Sequence, residues 1–171
     1  MSDYEWRVEH KPDEGISNFS VFDVRKPLGS GSYSRMYRNI LHAEVQTDAG
    51  GAGNEHRVNY LGGDYEGRAH LGTMLGLIHQ HAQKSGKSIT IDPSDVSQHS
   101  VKLVNNLADR GIIPEESRPK KRAKLNKETF VGDRWEHARS IGQKVSDDET
   151  VAARRHTFEL LRSNPRKPKG K

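Results

Sequence analysis

The chain has 171 residues, of which 32% are hydrophobic and 30% charged, and it contains no cysteine. This composition excludes disulfides, a thiolate nucleophile and a Cys-based zinc site, and no run approaches the roughly 20 apolar residues that cross a bilayer. The acidic residues 1–5 lack the basic and apolar regions of a signal peptide. The sequence therefore predicts a cytoplasmic protein without membrane partners.

The charge is divided unevenly along the chain. Residues 1–117 hold 12 Lys/Arg and 16 Asp/Glu, a net charge of −4, whereas residues 118–171 hold 16 Lys/Arg and 7 Asp/Glu, a net charge of +9. A basic arm on an acidic body is typical of a polyanion-binding protein, although such an arm also keeps its own body soluble. We predict an α/β domain over 1–117 and a basic helical tail over 118–171.

The first part of the chain has the patterns of strands and turns. Apolar residues alternate with polar ones, and turn residues stand between the runs. Four strands are predicted, at residues 4–9, 18–25, 40–45 and 56–61. A glycine-rich segment at 48–54 is expected to connect the last two as an exposed loop.

The hydrophobic period then changes from that of a strand to that of a helix. Over residues 68–84 the apolar residues fall at helical spacing, at Leu71, Met74, Leu75, Ile78 and Ala82. Gly86 is suited to end this helix in the left-handed conformation. A short strand at 88–91 and a second helix, capped by Ser97 or Asp95 and stopped at Gly111, complete an α+β or α/β arrangement with a mixed sheet.

Helical signals return in the tail. A short helix is predicted over 133–141, anchored by Trp135. Ser146 and Glu149 form a capping box that opens a helix ending near residue 162. Its predicted apolar stripe is narrow and partly buried, since Arg154 and Arg155 interrupt Val151, Phe158 and Leu161. The basic residues 165–171 are predicted to be disordered.

The turn between the fourth strand and the first helix is the most informative segment. Glycines at 62, 63 and 67 lead the strand into a helix start near His70. Such a turn directs several backbone N–H groups to one point with the helix dipole behind them, which suits a pyrophosphate. The alternative is an ordinary strand-to-helix turn.

The order of parts over residues 56–113 adds to this signal. A strand, the helix opening Gly-Arg-Ala-His-Leu-Gly-Thr-Met-Leu, a short strand, and the phrase Pro-Ser-Asp-Val-Ser-Gln-His-Ser before a second helix follow one another. This order resembles the GNAT acetyltransferase family, especially the shortened GNAT-like proteins of tailed bacteriophages. In that family the turn binds the pyrophosphate of acetyl-CoA through backbone amides. The resemblance implies acetyl-CoA contacts at Arg68, Ala69, His70, Leu71, Gly72 and Thr73.

An acetyl transfer to an amine would also require a base, because the amine must lose a proton before it attacks. Glu44 on the third strand and Asp64 before the turn are the candidates; the alternative for each is a solvated surface carboxylate. No metal site is predicted, since His79 and His81 diverge on a helix.

The basic run that opens the tail is the candidate nucleic-acid site. Its cations are Arg118, Lys120, Lys121, Arg122 and Lys124. Few aromatic residues accompany them, which favours contact with the phosphate backbone over base stacking, and a solvated run is the alternative.

Two functions follow from these patterns. The first is a GNAT-related, phage-type N-acetyltransferase that uses acetyl-CoA. The alternative is a non-catalytic phage protein, a virion or assembly component or a host-interaction protein, whose tail binds nucleic acid or a protein complex. Either would act in the host cytoplasm or the virion.

Overall fold

A mixed β-sheet with helices packed on it forms the fold in the computed structural model, which describes residues 3–49, 53–119, 134–137 and 141–166. The strands are β1 (Tyr4–Lys11), β2 (Ile16–Asp23), β3 (Met36–Ala49), β4 (Glu55–Gly63), β5 (Ser88–Ile91), β6 (Arg134–His137) and β7 (Gln143–Lys144). The α-helices in the described ranges are α1 (Leu71–Lys84), α2 (Val101–Asp109) and α3 (Asp147–Ser163). The predicted α+β arrangement with a mixed sheet is confirmed at this level.

Six strands follow one another across the sheet in the order β5-β4-β3-β2-β1-β7. Neighbours are antiparallel except β4 and β5, which run parallel and are joined through α1. A parallel pair needs such a crossover connection, whereas an antiparallel pair such as β1 and β2 can be joined by a short turn. The start of α1 therefore lies near the C-terminal end of β4.

The hydrophobic core lies between the helices and one face of the sheet. Trp6, Phe19, Ala43 and Leu61 alternate with polar residues along β1 to β4 and join one buried cluster with residues of α1 and α2. The opposite face is polar: on it, Ser20 Oγ lies 2.9 Å from His42 Nδ1. Because successive side chains of a strand point to opposite faces, residues next to each other in the sequence lie on the core face and on this polar face in turn.

The predicted helix over 68–84 is confirmed as α1, and its apolar stripe faces the core. All five predicted stripe residues are buried, Ile78 and Met74 completely. The chain leaves the helix at Gly86, which has φ +65 as the helix stop requires. Ahead of α1, a 3-10 helix occupies Glu66–His70.

The cap of α2 differs from the prediction. The helix begins after Ser100, not after Asp95 or Ser97. The reason is that the segment before it pairs with β4: Leu61 N–H donates to Asp95 O, and Ser97 N–H donates to Leu61 O, both at 3.0 Å. This backbone pairing keeps 95–97 extended.

The predicted capping box of α3 is confirmed, and its predicted apolar stripe is correct at Leu161, which is partly buried against the core, but wrong at Val151 and Phe158. Glu149 N–H donates to Ser146 Oγ at 3.2 Å. The buried residues of α3 are Ala153 and Thr157, while Val151 and Phe158 are 58% and 59% exposed. A close approach to α1 selects small residues for the packed face, as described below.

The predicted helix over 133–141 is also wrong. Residues 134–137 form β6, whose backbone pairs with Met36 to Asn39 at the start of β3. These residues of β3 lie beyond the end of β4, so β6 fills a place in the sheet that β4 leaves open. Pairing with a strand about a hundred residues away overrides local helical preference. The predicted anchoring by the Trp135 side chain lies outside the described structure.

Parts of the predicted tail pack on the predicted domain. β7 pairs with β1, and Val145 N–H donates to Trp6 O at 2.8 Å. α3 packs along α1. Among the described residues, position 117 is therefore not a boundary between separate packing units. Residues 50–52 of the predicted loop and 167–171 of the predicted disordered end lie outside the described ranges.

Candidate functional site

A cavity of about 600 Å³ opens at the start of α1, between the three α-helices. Five of the six residues predicted to contact acetyl-CoA line it: Arg68, Ala69, Leu71, Gly72 and Thr73. The remaining walls come from α2 and from α3 with the residues after it. The structure thus places the predicted turn in a concave site of the size that small ligands occupy.

Local sequence fixes the turn tightly against the sheet. Gly67 is buried, and a Cβ there would lie 2.0 Å from Ile40 O, so no other residue fits without moving the backbone. Asp64 Oδ1 accepts the Gly67 N–H at 3.0 Å and holds the first turn of the 3-10 helix. The glycine and the aspartate therefore set the direction in which the chain enters α1.

The backbone amides of the turn are partly occupied. Arg68 N–H donates to Tyr65 O at 3.3 Å, and Leu71 N–H donates to Arg68 O. A 3-10 helix that runs directly into an α-helix uses its own carbonyls for these donors. The 3-10 helix over Glu66–His70 thus uses the amides of residues 68–71, four of the six predicted donors, and side chains must supply part of any recognition of an anion.

The imidazole of His70 points away from the cavity. Its ring lies against Tyr4, with centroids 4.4 Å apart, and against Trp6, at 5.9 Å, and it does not line the cavity. Burial lowers the pKa of His70, and the positive charge of Arg154 lowers it further, against an opposing effect of Glu66. The His70 side chain therefore leaves the approach to the turn open.

The walls of the cavity are strongly positive. Four exposed cations line it, Arg68, Lys102, Arg154 and Arg166, and its lining includes no Asp or Glu. Within the described part of the chain, none of the four forms an ion pair. Converging charges of one sign in a concave site raise the local concentration of anions.

Apolar side chains lie among these cations. Leu71, Leu103 and Leu161 line the cavity together with the ring of Phe158. Arg154 holds its guanidinium 5.7 Å from the centroid of that ring, and Arg68 lies 4.9 Å from the centroid of the Tyr65 ring. The site therefore offers apolar surface and cations to one ligand.

α3 forms one wall because it approaches α1 very closely. A Cβ at Gly76 would lie 2.0 Å from Ala153 O, so the two backbones nearly touch. Thr157 Oγ1 donates to Gly72 O at 2.5 Å. At the other end, Arg110 of the α2 C-terminus donates to the carbonyls of Leu161 and Asn164. These contacts fix Arg154 and Phe158 over the start of α1.

The structure does not bring the two predicted bases to the cavity. Glu44 lies on β3, where it pairs with Asn18 and Tyr60 and not with core-facing residues. Asp64 is bound by Arg38, at 2.5 Å, in addition to the Gly67 amide. Neither lines the cavity. The geometry gives Asp64 a structural role as the cap of the turn.

Of the predicted nucleic-acid contacts, Arg118 alone lies within the described ranges. Its guanidinium pairs with Glu115 at 2.6 Å and with Asp109 at 2.7 Å. Two carboxylates thus compete for Arg118 with any phosphate. Lys120, Lys121, Arg122 and Lys124 lie outside the described residues.

Three cations of the cavity were missed from the sequence. Lys102 stands outside every motif, Arg166 belongs to the basic end predicted to be disordered, and Arg154 was interpreted only as an interruption of an apolar stripe. A local pattern does not reveal that α2 and α3 converge on the α1 start. The one available signal was the pair of arginines in the middle of an otherwise amphipathic helix.

In the described ranges, no three His, Cys, Asp or Glu residues are grouped so that they could hold a metal ion. The helices of those ranges also include none that is long and apolar enough to span a membrane. Comparison of the chain with protein-family models, with curated proteins and with solved structures found no match.

Proposed function

We propose that this chain is a GNAT-related protein that binds acetyl-CoA in the cavity at the start of α1. The observation that carries the proposal is the convergence, on the turn after β4, of an apolar lining and four cations that form no ion pair within the described residues. Acetyl-CoA combines a diphosphate and a further phosphate with an adenine ring and an uncharged arm. A site with both kinds of surface is complementary to such a molecule.

The arrangement of the sheet supports the same proposal. Over the residues that carry the GNAT resemblance, β4, the crossover helix α1, the parallel strand β5 and α2 follow one another in the order that the resemblance implies. One feature limits it: the Leu61 N–H and carbonyl are bonded to Asp95 and Ser97. A ligand arm therefore cannot use Leu61 for backbone hydrogen bonds unless 95–97 separates from β4.

We propose that the cavity binds acetyl-CoA, and we do not extend this to acetyl transfer. An amine acceptor needs a base within hydrogen-bond reach, and neither Glu44 nor Asp64 lines the cavity. The non-catalytic role, in which the fold serves as a scaffold, is compatible with the same ligand site. A function follows from the site and not from the fold alone.

Calorimetry with acetyl-CoA tests the proposal, with S-acetylpantetheine as the ligand that lacks phosphates. We expect saturable binding of acetyl-CoA and none of S-acetylpantetheine. The double variant Arg68→Gln/Lys102→Gln should weaken binding at least tenfold, about 1.4 kcal/mol, because each cation lost removes a charge-assisted contact. The matched control, Lys26→Gln/Arg35→Gln, removes the same charge from an exposed loop far from α1 in sequence.

Two results would contradict the proposal. The first is an absence of saturable heat with acetyl-CoA. The second is equal affinity for S-acetylpantetheine, since the cavity would then not recognise phosphate.

A further inference from the structure

The outward face of α3 carries a stripe that the fold does not use. Val151, Arg155, Phe158 and Arg162 are spaced at i, i+4, i+7 and i+11 and so lie along one side of the helix. This side is opposite the packed residues Ala153 and Thr157. All four stripe residues are exposed, including the large apolar side chains of Val151 and Phe158.

The stripe is positively charged. Arg155 and Arg162 form no ion pair or hydrogen bond within the described residues, and Arg154 flanks Phe158 with its guanidinium near the ring. Glu159 is the one acidic residue among the side chains that line this part of the helix.

The apolar part of the stripe is too small for the usual partners of an amphipathic helix. A stable protein interface buries on the order of 800 Å² on each side, and membrane-bound helices present a continuous apolar face. Here the two apolar side chains, Val151 and Phe158, each lie about one helical turn from an arginine of the stripe. The dominant property of the surface is positive charge, which favours a polyanion.

We propose that the outward stripe of α3 binds single-stranded nucleic acid. Arg155 and Arg162 contact phosphates, and Phe158 stacks on an unpaired base beside Arg154. Arg155 and Arg162 are seven residues apart, about 10 Å along the helix, so they reach separate phosphates of one strand. Cations that follow the backbone and an aromatic ring that accepts any base are the components of sequence-independent binding.

This surface is separate from the basic run predicted from the sequence, and it goes beyond the proposed binding of acetyl-CoA. Arg155 and Arg162 do not line the cavity at the start of α1. Arg154 and Phe158 line both surfaces, so the variant of Arg155 and Arg162 in the full chain is the one that tests the stripe independently of the cavity.

Fluorescence anisotropy with a labelled oligothymidylate of about 20 nucleotides, longer than the usual site size, tests the inference. Arg155→Gln/Arg162→Gln should weaken binding at least tenfold and reduce the slope of log affinity against log salt by about 1.4. Phe158→Ala should weaken binding of the single strand about tenfold and leave the salt slope unchanged. Lys26→Gln/Arg35→Gln is again the control of equal charge and should behave as the wild type.

Three outcomes would overturn the inference. One is that Arg155→Gln/Arg162→Gln binds as the control does. Another is that duplex DNA binds more tightly than the single strand and Phe158→Ala has no effect. The third is that poly-glutamate competes as well as the unlabelled oligonucleotide, which would show that the stripe binds an acidic protein or any polyanion without preference for nucleic acid. Acetyl-CoA binding by Arg155→Gln/Arg162→Gln should remain at the wild-type level whether or not the proposed function holds.

Discussion

The two longest helices, α1 and α3, are held to the fold by different means. α1 buries large apolar side chains, among them Leu71, Met74 and Ile78, in the core shared with the sheet. α3 buries little apolar volume, and its fully enclosed residues are Ala153 and Thr157. Its position depends on a close backbone approach at Gly76 and on a few polar contacts.

Because of this difference, the side chains of α1 stabilise the fold, whereas those of α3 are available to bind ligands. A helix that is held by large apolar side chains tolerates many substitutions of similar size. Its large side chains are buried by this packing and are not available to a ligand. A helix held by small residues leaves its long side chains free, so α3 can present Arg154 and Phe158 to the cavity and Arg155 and Arg162 to solvent. Both proposed ligand surfaces accordingly use side chains of α3.

The largest effect is expected from the packing of α1. Ile78→Ala should lower the free energy of unfolding by about 3 kcal/mol, because Ile78 is completely buried and leaves a cavity. Chemical denaturation measures the change. Leu77→Ala, at a partly buried neighbour, should cost less than half as much. Equal costs at the two positions would show that α1 is not held by its apolar stripe.

A smaller effect is expected where α1 and α3 touch. Gly76→Ala should cost about 2 kcal/mol, because its Cβ would lie 2.0 Å from Ala153 O and force the helices apart. Hydrogen exchange should show faster exchange in α3 than in α1. Gly72→Ala, one turn earlier, is the matched control: its nearest neighbour is Thr157 Cγ2 at 4.0 Å, so it should be tolerated. If both variants behave alike, the close approach does not hold α3.

The smallest effect concerns pH and the same interface. His79 Nδ1 of α1 lies 2.8 Å from His156 Nε2 of α3, a hydrogen bond that needs one unprotonated nitrogen. Burial lowers the pKa of His79, and the charge of His156 lowers it further. The unfolded chain therefore binds a proton more readily than the folded one, so stability is retained above the ordinary imidazole pKa of about 6.5 and declines below it.

A comparison of melting temperatures at about pH 7.5 and about pH 5.5, either side of the ordinary imidazole pKa, tests this pair. His156→Gln, which keeps a hydrogen-bonding group without a charge, should lose less stability on acidification than the wild type. The difference should stay below about 1 kcal/mol, since both rings are partly exposed and solvent screens their charges. On α3, the charged residues beside His156 are Arg155, which precedes it, and Glu159, which follows one turn later, and both are unchanged in this variant. An identical pH dependence in both proteins would exclude the histidine pair as its origin.

Much of the fold could be predicted because its signals are local. The stripe of α1, the stop at Gly86 and the box of Ser146 with Glu149 depend on residues within a few turns. β6 could not be predicted, because it is a strand only through its pairing with β3. The packed face of α3 also could not, because Ala153 is a single small residue whose place depends on Gly76 of another helix.

The candidate site was predicted in position but not in composition. Glycines after a strand indicated the turn at residues 68–73, and five of those six residues line the cavity. The cations from α2 and α3 belong to the site through tertiary packing, so spacing along the chain does not reveal them. Glu44 and Asp64 were predicted from their residue type and from their places on the third strand and before the turn, but neither lines the cavity, because tertiary packing directs them elsewhere.

The binding of acetyl-CoA at the start of α1 is tested most directly by mapping amide chemical shifts in the full-length chain as acetyl-CoA is added. We expect the largest changes at residues 68–73, with further changes in α2 and along the side of α3 that carries Arg154 and Thr157. Changes confined to other surfaces, or no changes at saturating acetyl-CoA, would contradict the account.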